Sequence, residues 1–150
     1  MFPYFIYKLD LNINLIWSQE HLTTNFYTIN YWFDHGVKGT FLSNEITKDE
    51  MMAISNNTKS ELFIQLFGYI PMYVSKRHAV NNYLNYFHKK KNDTNYYLFK
   101  EDNKYSIVDN NEGTVIYSHF ILNGLKEYLE LSKNIHNIIL NGYHIDEDKM

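Results

Sequence analysis

The chain has 150 residues, a net charge of −3, 17% aromatic residues and no cysteine. A chain of this length buries a real core as a single domain, and its weak acidity gives no whole-molecule attraction to nucleic acid, although a local basic patch stays open to it. The missing cysteines exclude disulfides, thiolate metal sites, a conventionally held iron–sulfur cluster and a cysteine nucleophile, and they fit a cytoplasmic protein.

The N-terminal MFPYFIYKLDLNINLIW is apolar only in part. Lys8, Asp10 and two asparagines interrupt it and no small-residue cleavage site follows, so it predicts strands over 4–9 and 13–17. Neither this segment nor any other approaches the ~20 apolar residues of a membrane helix, and no membrane partner is expected. Thr24-Asn25 offers an N-cap to FYTINYWFDHG, where Phe26, Ile29 and Tyr31-Trp32-Phe33 keep a helical spacing and Gly36 ends the helix. VKGTFL is a short strand. Thr47 then caps a helix with Asp49 and Glu50 in its first turn. ELFIQL, 61–66, is the next strand. This alternation predicts an α/β fold with parallel strands joined by crossover helices.

GYIPMYVS, 68–75, is expected as a loop leading into a helix over 77–88, and KKKNDTN as a polar loop. YYLFKEDNKYSIVDNNEGTVIYS carries turn signals at Glu101-Asp102-Asn103 and Asn110-Asn111-Glu112-Gly113, so a small antiparallel meander is expected near 95–117. A helix over 119–133, a strand over 136–140 and a frayed charged tail complete the chain. No repeat, linker or domain boundary interrupts it, and residues 1–150 are expected to form one domain.

Ligands collect at the carboxyl ends of parallel strands. Those ends hold Ser43-Asn44-Glu45, Phe67-Gly68-Tyr69 and Asn141-Gly142-Tyr143-His144, which predicts one shared rim, with Arg77 near Glu45. Glu45 is the carboxylate placed for acid, base or cation work, or else it caps the helix after Thr47. Ser75-Lys76-Arg77 offers a nucleophile or a phosphate clamp, or else Ser75 is a helix N-cap. Lys76, Arg77, Lys89, Lys90 and Lys91, interleaved with Tyr83, Tyr86 and Phe87, have the basic and aromatic character of an RNA-binding surface. The alternative is an amphipathic helix with its aromatics inward and its lysines in water. The seven histidines show no ligand spacing, so no metal and no cofactor are expected.

LTTNFYTINYWFDHGVKGTFLSNEIT, ELFIQLFGYIPMYVSKRHAVNNY, EGTVIYS and IHNIILNG together resemble peptidase family U32, the collagenase-like peptidases, across about 12–145. The matching pieces are Asn25, Gly36-Val37, Ser43 with Glu45, Gly68, Ser75, Arg77, Asn82-Tyr83 and Gly113-Thr114. The resemblance covers the family's C-terminal half and implies a partial (β/α) TIM-type barrel. It also implies kinship with the short, cysteine-poor members that act beside a longer paralogue in 5-hydroxylation of the tRNA wobble uridine. Other relatives are proteases, or bind an iron–sulfur cluster. Where many relatives have His-Gly this chain has Phe67-Gly68, and Pro71 and His78 fall where cluster-binding members carry cysteine. The expectation is therefore an accessory, RNA-binding component with tRNA as partner. Glu45 and Ser75 are the catalytic candidates should it be a peptidase instead, and a small-molecule-binding module is a third possibility. Asn25, Gly68, Lys76, Arg77, Tyr83 and Lys89–Lys91 are expected to contact substrate or RNA. A half barrel also exposes strand edges, so self-association, or pairing with the longer paralogue, is expected.

Overall fold

The computed structural model describes residues 13–18, 23–91, 95–135, 137–143 and 145. The expected strand over 4–9, part of the lysine-rich loop, His144 of the expected rim and the charged tail lie outside the described residues. The chain divides into two compact units, one of residues 1–67 with 123–141, the other of 68–122 with 142–150.

In the first unit, strands β1 (Leu15–Trp17), β2 (Val37–Phe41) and β7 (Asn137–Leu140) join the start of β3 (Glu61–Ser75) in an all-parallel row, β1–β2–β3–β7. Helix α1 (Phe26–Asp34) crosses from β1 to β2 and α2 (Lys48–Asn56) from β2 to β3, as the alternating sequence requires. Both starts are capped as the sequence predicts. Asn25 accepts the Thr28 amide at 3.0 Å, and Thr47 and Glu50 form a reciprocal capping box. Gly36 ends α1 at φ +88°, a conformation costly for any residue with a Cβ.

Leu62, Ile64 and Leu66 alternate inward along β3 and bury against Ile29, Ile54 and Leu131. Each such side chain contributes about 1.5–3 kcal/mol. Packing at β2 is close around Gly39: a Cβ there would stand 2.8 Å from the Ile16 and Phe63 side chains, which would have to shift to admit it. Helix α4 (Leu125–Leu131) covers the same core, and its Glu130 pairs with Lys48 of α2 at 2.7 Å.

The second unit takes the far part of β3 together with α3 (Ala79–Tyr86) and three further strands. These are β4 (Tyr96–Lys100), β5 (Asn103–Asn110) and β6 (Gly113–Asn123), paired antiparallel β4–β5 and β5–β6, with β6 next to β3. The expected meander is thus present. Asn110 builds its second turn by accepting the amides of Glu112 and Gly113.

Two expectations fail here. The expected loop 68–75 is strand, because β6 runs back along β3 and keeps its backbone partnered. Ile70 donates to the Ser118 hydroxyl at 3.0 Å, and Gly113 lies against Ser75. The helix expected from 119 begins only at Leu125, since 119–123 belong to β6. The parallel row and the meander are both open, with no barrel closure among the described residues. No described helix is long and apolar enough to cross a membrane.

Candidate nucleic-acid interface

Helix α3 lacks a cap of its own, because the His78 side chain makes no capping hydrogen bond. Its first amides are satisfied from the meander instead. Thr114 Oγ1 accepts Ala79 N–H at 2.7 Å. The Asp109 carboxylate accepts Val80 N–H at 3.3 Å and Asn81 N–H at 2.9 Å. The Thr114 hydroxyl has one proton and two acceptors within reach, Asp109 and the Arg77 carbonyl. Partial burial pushes the Asp109 carboxyl up, but the Thr114 hydroxyl, the two helix amides and nearby His78 outweigh it and hold it below the ordinary carboxylate range. Beside this cap, Gly113 sits at φ +135° with the Ser75–Lys76 backbone where a side chain would be; a Cβ there would collide with the Ser75 carbonyl oxygen.

Fixed in this way, α3 faces β4 across a groove of about 860 Å³. Val80 and Leu84 of α3, Leu98 of β4 and Ile107 of β5 form its apolar part, Tyr83 and Tyr96 supply rings, and Lys89 and Lys90 stand at its edge; Tyr97 and Phe99 border it from the opposite face of β4, which they share with Lys104. Tyr83 is open to solvent at 55% exposure, and on the opposite face of β4 Tyr97 is 41% and Phe99 70% exposed. Lysines lie on them, Lys104 Nζ 3.7 Å from the Tyr97 ring centre and Lys89 Nζ 5.8 Å from that of Tyr83. Among the described residues none of Lys89, Lys90 and Lys104 is paired with a carboxylate. Residues 76–104 hold seven Lys and Arg against three Asp and Glu, so this stretch is basic in an acidic chain. Cations beside exposed aromatic faces suit phosphate and base together.

The sequence candidates divide between the units. Tyr83, Lys89 and Lys90 line the groove. Lys91 follows them in sequence and is exposed. Lys76 and Arg77 are exposed just before α3; the Arg77 amide donates to the Ser75 hydroxyl at 3.2 Å, and its carbonyl faces Thr114. Ser75 is therefore not the N-cap of α3, which is His78. Gly68 is a buried residue inside β3, and Asn25 is the cap of α1. The shared rim for Gly68 and Arg77 does not form: β3 continues from Gly68 to Ser75, about 23 Å of extended chain.

In the first unit the expected convergence of strand ends does occur. Asn44 after β2 bonds Gln65 of β3 at 3.2 Å, and the Asn141 amide after β7 donates to the Phe67 carbonyl at 2.9 Å. Glu45 is exposed beside them, its amide bonded to Ser43, and Glu50 rather than Glu45 completes the helix cap. No group of three His, Asp or Glu among the described residues is arranged to hold a metal.

Asp109, Tyr96 and Ile107 are the residues missed from sequence, and Thr114 enters there only through the family resemblance. Rings at 96, 97 and 99 on one short strand were the available signal.

The family model for peptidase family U32 matches residues 3–146. The chain belongs to peptidase family U32. The resemblance carried by Gly36-Val37, Glu45, Gly68, Arg77 and Gly113-Thr114 therefore holds at family level. This U32 chain is 35% identical over 115 residues to tRNA hydroxylation protein P2 of Bacillus subtilis (strain 168). That alignment covers 71% of the chain but 37% of the relative, so the chain spans well under half the length of the curated relative it matches. No solved structure gives a significant match.

Proposed function

We propose that this U32 chain is a non-catalytic, RNA-holding component of tRNA wobble-uridine hydroxylation, a task of the cytoplasm. The observation that carries the proposal is the α3–β4 groove, where Lys89 and Lys90, paired with no carboxylate among the described residues, stand beside exposed Tyr83. Likeness to a tRNA hydroxylation protein supports the choice of RNA. On this reading Lys76, Arg77 and Lys91 extend the phosphate path, and the parallel row β1–β2–β3–β7 is one arc of a β/α barrel. Binding of tRNA, followed by fluorescence polarisation, is expected to weaken steeply with added salt. It should fall to background on Arg77→Ala or on joint neutralisation of Lys89, Lys90 and Lys91. Wild-type affinity for tRNA no better than background removes the reading.

The family assignment favours one other reading, peptide hydrolysis, with Glu45 and Ser75 as its candidate groups. Denatured collagen tests it. No cleavage by the wild-type chain, or cleavage undiminished in both Glu45→Gln and Ser75→Ala, removes it.

A further inference from the structure

We infer that strand β4 is a docking edge for a second copy of this chain. The two β4 strands pair antiparallel about Leu98 and join two meanders into one continuous sheet. β4 ends the strand order of the second unit, and among the described residues it pairs with β5 alone. Its outer side therefore presents a row of backbone N–H and C=O groups with no strand to take them. The side chains leave that row open. Leu98 is 44% exposed on one face of the strand, and Tyr97 and Phe99 are 41% and 70% exposed on the other.

Natural sheets guard such an edge with proline, a bulge or charge. Tyr96–Phe99 has none of these. The five pairs of β4 with β5 run without a register shift, and the one charge of the strand, Lys100, stands at its end. The far part of β3 is the opposite edge of the same sheet, and it carries Pro71. One edge is guarded and the other open, so like pairs with like and association closes at two chains. β4 also complements its own copy. Pairing about Leu98 sets Tyr97 opposite the partner's Phe99, and Phe99 opposite the partner's Tyr97, where aromatic pairs across strands are favourable. It sets Lys100 opposite the partner's Tyr96, a lysine beside a ring as Lys104 is beside Tyr97 within one chain. Lys89–Lys91 precede β4 and Glu101-Asp102 follow it. Antiparallel pairing brings the basic end of one copy to the acidic end of the other, whereas parallel pairing would align like charges.

The test uses the whole 150-residue chain without RNA. Sedimentation equilibrium should show one reversible step, from one chain to two, as concentration rises. Leu98→Lys places like charges face to face at the symmetry axis and should raise the dimer dissociation constant at least about tenfold. Glu101→Lys combined with Asp102→Lys should raise it roughly fivefold. Tyr73→Lys, on the guarded edge of β3, should leave it unchanged. All these side chains are exposed, so circular dichroism of each variant should match the parent. Hydrogen exchange needs no variant: exchange in wild-type β4 should slow as concentration rises, while that in β2 stays constant. A chain that remains single at every concentration overturns the inference. So does a dimer that Leu98→Lys leaves intact or that Tyr73→Lys breaks, growth beyond two chains, or exchange in β4 that ignores concentration. A dimer insensitive to the acidic double variant overturns the antiparallel sense, and with it the pairing about Leu98.

Discussion

At the scale of single residues, the groove depends on a cap that no nearby sequence supplies. Asp109 and Thr114 together satisfy the Ala79, Val80 and Asn81 amides. Loss of an N-cap costs about 1 kcal/mol, so Asp109→Ala and Thr114→Val should each lower stability by roughly that amount in urea denaturation. The Asp109 carboxyl is held below its ordinary range in the folded chain. Its stabilisation is therefore complete above the unfolded carboxylate pKa of about 4 and is lost as pH falls through the lower folded value. Acid titration of stability should decline less steeply in Asp109→Asn. Gly113→Ala should be worse than either cap variant, by about 2–4 kcal/mol, because left-handed strain adds to the collision with the Ser75 carbonyl. The capping residues Asn25 and Thr47 were legible in the sequence, since each acts within three residues of itself. Asp109 was not, because its partners lie 28 and 29 residues away.

At the scale of elements, β3 is the strand whose length the sequence understates. The alternation of Leu62, Ile64 and Leu66 stops where the parallel neighbours stop, and Gly68 and Pro71 then read as a loop. The strand survives because β6 takes over as partner, with Ser118 serving the Ile70 amide directly. Ser118 is almost completely buried and also donates to the Phe120 carbonyl at 2.6 Å. Ser118→Ala would orphan the Ile70 amide in a dry place, and such a group costs about 1–3 kcal/mol. Thermal unfolding should register that loss, with faster hydrogen exchange at Ile70. The same extension separates Gly68 from Arg77 and leaves Arg77 beside α3. A glycine and a proline signal a break in the chain only when no neighbour is present to hold the backbone extended.

At the scale of the whole molecule, a net charge of −3 conceals a basic stretch of 29 residues, 76–104. If Lys76, Lys89, Lys90 and Lys91 each neutralise one phosphate of a single strand, the logarithm of affinity against that of salt should have a slope of about −3. Neutralising Lys89 and Lys90 should reduce that slope by about 1.4. A slope unchanged in that pair would place the RNA elsewhere on the surface.

The sequence by itself determined what depends on neighbours in the chain. The alternation of strand and helix, the caps of α1 and α2, the turn at Asn110–Gly113 and the family all follow from local pattern and motif order. Only the tertiary structure decided where β3 ends, which residues cap α3 and that Tyr83 and Ile107 border one groove. Each of these rests on hydrogen bonds or packing between segments far apart in sequence, and local periodicity carries no information about such partners.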